Sequence, residues 1–183
     1  MSKLETNTID NISGSSTLTI GDSNTSTITL KSGATLTNFP DNTPNFRAYS
    51  TSVQTIPTAT QTKIQYNSEN FDTDNCYDNT TNYRFTPTEA GTYFITASVR
   101  IDDGSYSNNN TQIYIYKNNS TWSRFSNEFT SASSPMISIS DIVNLNGSSD
   151  YVEIFLYQST GGDINLRIDT QNMYFSGYKL IGA

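Results

Sequence analysis

Acidic residues are the groups in this chain whose spacing could support catalysis or metal binding, because the sequence has no histidine and a single cysteine. A Ser-His-Asp triad, a Cys-His pair and a His-ligated metal are therefore excluded, and one thiol cannot form a thiolate zinc site. The carboxylates cluster at Asp72, Asp74 and Asp78, and again at Asp102 and Asp103. Both clusters lie among turn-forming residues.

Three interpretations of these carboxylates remain open. Paired acids in a cleft suit glycoside hydrolysis. Oxygen-rich loops such as DTDNCYDN, residues 72–79, supply the ligands that calcium prefers, although the glycine and terminal glutamate of an EF-hand are missing. Solvated loop acids are the simplest interpretation. We predict no catalytic residue, no enzyme activity and no obligatory cofactor, with Asp72, Asp74, Asp102 and Asp103 as candidate Ca²⁺ ligands.

The composition is typical of an all-β protein. The 183 residues include 12 Tyr and 9 Phe, and good helix formers are scarce. A net charge of −7 with only 10 Lys and Arg argues against a nucleic-acid partner. No run approaches the roughly 18 apolar residues of a membrane span, and the first residues lack the apolar core of a secretory signal. Cys76 is expected to be a small buried hydrophobe or an idle thiol.

Short repeats mark the N-terminal part of the chain. Thr17-Leu18-Thr19-Ile20 and Thr27-Ile28-Thr29-Leu30 share a Thr/aliphatic alternation, each followed by turn residues, and Thr35-Leu36-Thr37 is a shorter copy. Such repeats cannot bury their apolar face alone, so they must stack on one another or on other chains. A Thr-rich linker is the alternative. We predict an attachment segment and short β-repeat shaft at residues 1–44.

The remaining residues, 45–183, are predicted to form one antiparallel sandwich. Period-two runs bounded by turn residues indicate eight strands. The predicted strands cover residues 46–49, 63–66, 83–86, 92–101, 112–117, 136–145, 151–158 and 173–181. Two layers of such strands suggest a β-sandwich or jelly roll.

Four motifs in this region resemble one known family. The first motif has the residues Tyr66, Asp72, Tyr77, Phe85, Gly91, Tyr93, Ile95 and Ala97. It is similar to the signature of the globular head of complement component 1q, whose jelly roll is shared with tumour necrosis factor, with one extra residue before Phe85 and aliphatic residues after Tyr93. YKNN (116–119), Asp150-x-Val152-x-Ile154 and FSGYKLI (175–181) look like later strands of the same head.

The resemblance implies a compact homotrimer on the end of a stalk. Collagen-type Gly-x-y repeats are absent, and the Thr/aliphatic repeats look instead like the shafts of bacteriophage fibres. The resemblance therefore favours a virion fibre or spike, made in the host cytoplasm, whose N-terminus binds a tail or capsid protein.

Two predicted strands are apolar or aromatic on both faces. In QIYIYK and DYVEIFLYQ the second face carries aromatic rings. We predict that this outer aromatic row is the trimer contact: Tyr114, Tyr116, Tyr151, Phe155 and Tyr157. Cover by the segment from Asn118 to Pro135, or a sugar-binding groove, are the alternatives.

Host adhesion is the predicted task of the head. Loops 105–111 and 120–135 are rich in Asn, Ser and aromatic residues, which are common at recognition surfaces. Tyr106, Asn109 and Trp122 are the candidate contacts to a host-surface glycan or outer-membrane protein, although the Trp122 ring could equally fold back onto the head. A capsid decoration protein without a receptor role, a secreted cytokine-like or complement-like ligand, and a glycan-degrading enzyme are the alternatives.

Overall fold

The computed structural model describes residues 41–102, 109–129 and 134–182. Within these ranges the chain forms thirteen strands and no helix, so the predicted all-β class is confirmed. None of these segments is a helix long and apolar enough to cross a lipid bilayer. The predicted N-terminal repeats lie outside the described residues, and the division at residue 44 stays a prediction.

The strand bounds, in chain order, are β1 (Asn45–Tyr49), β2 (Thr55–Ile56), β3 (Thr62–Lys63), β4 (Ser68–Asp72), β5 (Tyr77–Asp78), β6 (Arg84–Phe85), β7 (Ala90–Arg100), β8 (Asn109–Lys117), β9 (Ser120–Phe129), β10 (Met136–Asn146), β11 (Val152–Gln158), β12 (Ile164–Asn165) and β13 (Tyr174–Lys179).

The strands form two main antiparallel sheets. Sheet 1 has the order β10-β7-β13-β1-β4, and sheet 2 has the order β5-β6-β11-β8-β9, with β3 also paired to β11. β2 and β12 make a separate two-stranded pair. This is a jelly-roll-like arrangement, as predicted.

Alternation along the strands builds the core between the two sheets. Every second residue of β7 from Tyr93 to Val99 is buried, and so are Ile113 and Ile115 of β8. Because successive strand residues point to opposite faces, this pattern places one apolar row of each strand in the interior. The Phe46 ring stacks on Phe85 with centroids 4.4 Å apart. Packing of these rows holds the described part of the chain together.

One predicted loop is a strand. Residues 120–135 were expected to be irregular, but Ser120–Phe129 forms β9, which pairs with β8 along its whole length. Asn118 and Asn119 both have positive φ, 51° and 64°, which is the backbone of a two-residue type I′ hairpin turn. The prediction failed because β9 lacks alternation: nearly all of its residues are exposed, on both faces.

Candidate functional surfaces

The acidic residues of the first predicted cluster organise the loops around them. Asp72 Oδ2 accepts a hydrogen bond from the backbone N–H of Tyr77 at 2.7 Å. Asp78 accepts backbone N–H bonds from Thr80, Thr81 and Asn82 at 2.9–3.1 Å. These bonds, that of Thr81 above all, hold the pKa of Asp78 far below its ordinary value. Asp78 is therefore an ionised loop anchor.

The geometry around the calcium candidates lacks a ligand cluster. Asp74 Oδ2 accepts a bond from the Thr73 hydroxyl at 3.3 Å, and the Asp102 N–H donates to the carbonyl of Asn165 at 2.8 Å. Asp103 lies outside the described residues. Within the described ranges, no group of three or more acidic or Cys side chains is arranged to hold a metal ion. Calcium binding stays a prediction.

Three rings of the outer aromatic row, those of Tyr114, Tyr116 and Phe155, are in contact on the outer surface of sheet 2. Tyr116 stacks on Phe155 with ring centroids 4.3 Å apart, and its edge contacts Tyr114 at 5.8 Å. Tyr114 is buried within the single chain, whereas Tyr116, Phe155 and Tyr157 are half-buried. The sequence pattern therefore identified a real aromatic cluster.

Two rings of this row lie next to cationic side chains of the same chain. The Arg84 guanidinium lies 4.3 Å from the ring centre of Tyr151, and Lys63 Nζ lies 5.9 Å from that of Phe155. The row consequently has less open apolar surface to offer a second subunit than the sequence suggested. Its assignment to the trimer contact stays a prediction.

A second apolar surface lies on the outer face of sheet 1. Phe94 of β7 is directly opposite Ile142 of β10 on one side and Tyr178 of β13 on the other. Directly opposite residues of antiparallel strands project from the same face, so the three side chains form one row. Ile142 is 51% exposed and Tyr178 38%. We call these three residues the face patch.

The face patch is bordered by further aromatic residues. The Phe94 and Tyr178 rings are in contact with centroids 5.6 Å apart. Tyr174 of β13 stacks under the Arg47 guanidinium at 5.1 Å, and Phe71 of β4, opposite Arg47, is exposed. Neighbouring exposed apolar residues of this kind are a candidate interaction surface.

A third apolar surface lies at the open edge of the sandwich. β9 ends sheet 2 beside β10, which ends sheet 1. Trp122, the extra residue of a β-bulge opposite Ile115 and Tyr116, is 46% exposed, and Phe125 is 49% exposed. We call Trp122 and Phe125 the edge patch.

The predicted receptor contacts do not form one site in the described structure. Tyr106 lies outside the described residues. Asn109 begins β8 opposite Phe129, whereas Trp122 lies near the other end of the same ladder. The Trp122 ring has Lys117 Nζ 5.7 Å from its centre. Adhesion through these residues stays a prediction.

Sequence reasoning missed the face patch. Phe94 interrupts the alternation of β7 between buried Tyr93 and Ile95, and Ile142 does the same beside Val143. Consecutive apolar residues in an otherwise alternating strand are a signal that both faces of that strand are covered.

Comparison with known proteins agrees with this architecture. The family model described as C1q domain matches residues 46–180. No curated protein matches the chain. Similar solved structures include murine APRIL (TM-score 0.57, 10% identity, covering 74% of this chain and 98% of that one). Eiger TNF from S. frugiperda is also similar, with a TM-score of 0.56 and 10% identity, covering 76% of this chain and 92% of that one. The globular domain of zebrafish complement 1qA protein has a TM-score of 0.53 and 13% identity, covering 75% of this chain and 97% of that one.

The structural likenesses show a shared fold, and the family match covers most of the chain. Proteins of this class are typically trimeric ligands and generally lack enzymatic activity. The predicted resemblance to the complement component 1q and tumour necrosis factor head is confirmed. This chain belongs to the C1q domain family.

Proposed function

We propose that the protein is a homotrimeric structural protein, assembled by packing the edge patch of one subunit against the face patch of the next. The observation that carries this proposal is the pair of exposed apolar surfaces on one chain. Trp122 and Phe125 lie on the sandwich edge, while Phe94, Ile142 and Tyr178 lie on the face of sheet 1.

The two patches are different surfaces, which suits a ring. Contact between two different patches repeats from subunit to subunit and forms a closed ring when the rotation between neighbours closes. Aromatic residues suit such a contact because they bury a large area at low entropic cost. Three subunits is the number typical of the fold.

The trimer is proposed to be the head of a virion fibre or spike. The Thr/aliphatic repeats of residues 17–38 support an N-terminal β-shaft, and segment 1–44 would bind a tail or capsid protein. The head would contact a host-surface glycan or outer-membrane protein. The acidic composition supports neither a nucleic-acid partner nor an anionic membrane surface.

Light scattering on the full chain tests the assembly directly. We expect a mass of three chains for the wild type and one chain for Ile142→Asp, which places a charge in the face patch. Asn144→Asp, on the same face of β10, is the matched control. The single tryptophan, Trp122, reports on the same step, because its fluorescence should shift to longer wavelength as the trimer dissociates. A monomeric wild type would refute the proposal.

A secreted cytokine-like or complement-like ligand is the second candidate, since the fold of this chain is similar to the folds of APRIL and Eiger TNF. Small-angle X-ray scattering separates the two. A shafted fibre head gives an elongated particle with a rod-like component, whereas a ligand whose N-terminus is an unstructured linker gives a compact trimer with flexible tails.

A further inference from the structure

A shallow groove of about 490 Å³ lies on the outer surface of sheet 2, within the size range of small-molecule sites. Tyr114 of β8 lies on one side of it and the segment Ala59-Thr60-Gln61 on the other, with Tyr157 of β11 between them. Asn110 and Gln112 of β8 complete the lining. Tyr114 and Tyr157 belong to the outer aromatic row, which takes no part in the proposed contact between the edge patch and the face patch.

The groove has an ordered polar side. The Tyr114 hydroxyl donates to Gln112 Oε1, and Gln112 Nε2 donates to Asn110 Oδ1 at 3.0 Å. This chain of bonds fixes the three side chains and leaves the Asn110 amide nitrogen pointing to no acceptor among the described residues. On the other wall, Gln61 Oε1 accepts a bond from the Tyr116 hydroxyl at 2.6 Å.

The facing wall is also held in place. Ala59 has a positive φ of 55°, and its N–H donates to the carbonyl of Gln158 at 2.8 Å. The buried Gln158 side chain donates to the carbonyl of Ile56 at 3.1 Å, so the chain that leads into this segment is also tied to the end of β11. A preformed wall lowers the entropic cost of binding.

Three hydrogen-bonding groups are consequently available in the groove. They are the amide nitrogens of Asn110 and Gln61 and the hydroxyl of Tyr157. The Tyr157 hydroxyl makes no hydrogen bond to a described residue. The Tyr157 ring is half-buried and contributes apolar surface beside them. An apolar surface with a few convergent neutral donors matches a pyranose ring, which has an apolar C–H face and a rim of hydroxyls.

Among the described residues that line the groove, none carries a charged side chain. Burying a sialic acid carboxylate or a phosphate here would cost desolvation energy with no ionic partner to offset it. The whole chain, at a net charge of −7, also repels anions.

We propose that this groove binds one or two sugar residues of a neutral glycan, with Tyr157 as the stacking ring and Asn110 and Gln61 as hydroxyl partners. The inference deepens the proposed function, because it names the class of glycan and locates it away from the predicted receptor loops. It requires an open outer surface of sheet 2, which trimer contacts through the face and edge patches provide.

Saturation-transfer difference NMR on the full chain tests the proposal, with lactose, maltose and N,N′-diacetylchitobiose as probes and 3′-sialyllactose as the anionic comparison. We expect binding of at least one neutral disaccharide. Its affinity should fall about tenfold or more in Tyr157→Ala, which removes the ring. Tyr151→Ala, which removes a ring of the same strand face outside the groove, should bind as the wild type does.

Thr60→Arg keeps the test decisive if Tyr157→Ala does not fold, because Thr60 is an exposed wall residue whose longer replacement would fill the groove. No signal from any of the three neutral sugars, equal binding by Thr60→Arg, or stronger binding of 3′-sialyllactose would overturn the inference. The light-scattering result is independent of these outcomes, so a trimer that binds none of the sugars refutes the groove alone.

Discussion

Lys63 Nζ and Glu153 Oε1 are 2.5 Å apart on the outer surface of sheet 2, joining β3 to β11 across 90 residues of sequence. Glu153 is 2% exposed, and its Oε2 has no hydrogen-bond partner within the described structure. Lys63 also donates to the carbonyl of Asn82 at 3.2 Å. A buried carboxylate with one cationic neighbour depends strongly on that neighbour.

Removing the lysine alone should therefore destabilise the protein more than removing both charges. We expect Lys63→Met to lower the free energy of unfolding by about 3 kcal/mol, because it leaves Glu153 buried and uncompensated. The double variant Lys63→Met/Glu153→Met should recover most of that loss. Urea unfolding of both variants measures the difference, and equal losses would contradict the dependence.

Among the side-chain amides of the described residues, we expect Gln158 to be the one whose substitution lowers the free energy of unfolding most. Its Nε2 donates to the carbonyls of Ile56 and Gly162, and its Oε1 accepts from the backbone N–H and the hydroxyl of Thr160. Gln158→Leu should cost about 3 kcal/mol of unfolding free energy, because it leaves the buried carbonyl of Ile56 and the half-buried N–H of Thr160 without their partner. Gln171→Leu, at an exposed position, should cost little in the same denaturation experiment.

Acid should destabilise the loop that precedes β13. Hydrogen bonds to Asp169 from the side chain and N–H of Asn172, then from the Gln171 N–H and Arg100, lower its pKa to about 2. A depressed folded-state pKa stabilises the fold above the unfolded value of roughly 3.9, and this stabilisation is lost as pH falls through the folded value.

Unfolding of the wild type should therefore become easier between about pH 4 and pH 2. Asp169→Asn should be less stable than the wild type at pH 7, and the difference should shrink over that window. Urea melts at pH 2, 3, 4 and 7, at one protein concentration, measure this. Parallel curves for the two proteins would show that Asp169 does not contribute.

Gly177 is required by packing inside sheet 1. A Cβ at this position would lie 2.7 Å from Cδ1 of Ile95 and 3.1 Å from the carbonyl oxygen of Phe94. Gly177→Ala should cost about 1–3 kcal/mol through overpacking. Gly162→Ala, whose Cβ would meet no atom within 4 Å, is the matched control, and thermal unfolding of both variants gives the comparison.

The long alternating strands were predictable because burial of one face leaves a period-two record in the sequence. β10 carries that record over its eleven residues, and β7 carries it from Tyr93 to Val99. β9 does not, since nearly all of its side chains are exposed in a single chain and neither face is buried. The Asn118-Asn119 turn was its one local signal. Of the two-residue strands, β3 and β6 overlap the predicted strands at 63–66 and 83–86, whereas β2, β5 and β12 are too short to show a periodicity.

The candidate surfaces were only partly predictable. The outer aromatic row could be recognised in the sequence, because its aromatic residues occupy positions of the same parity within each of two predicted strands. Its contacts with Lys63 and Arg84 could not, because pairing of β3 and β6 with β11 brings together residues distant in sequence. The row through Ile142, Phe94 and Tyr178 likewise depends on strand order and register, which no local pattern encodes.

The exposed edge strand β9 also affects how new chains associate. A ten-residue edge strand that offers unpaired backbone groups and two large rings to water is adhesive toward any other strand it meets, including one from a misfolded copy. Subunit association would shield it, so apparent melting temperature should rise with protein concentration. In a cell, the yield of assembled protein would then depend on the rate of subunit association relative to the rate of aggregation. Slow synthesis at low concentration would lengthen the time for which β9 of each new chain stays exposed.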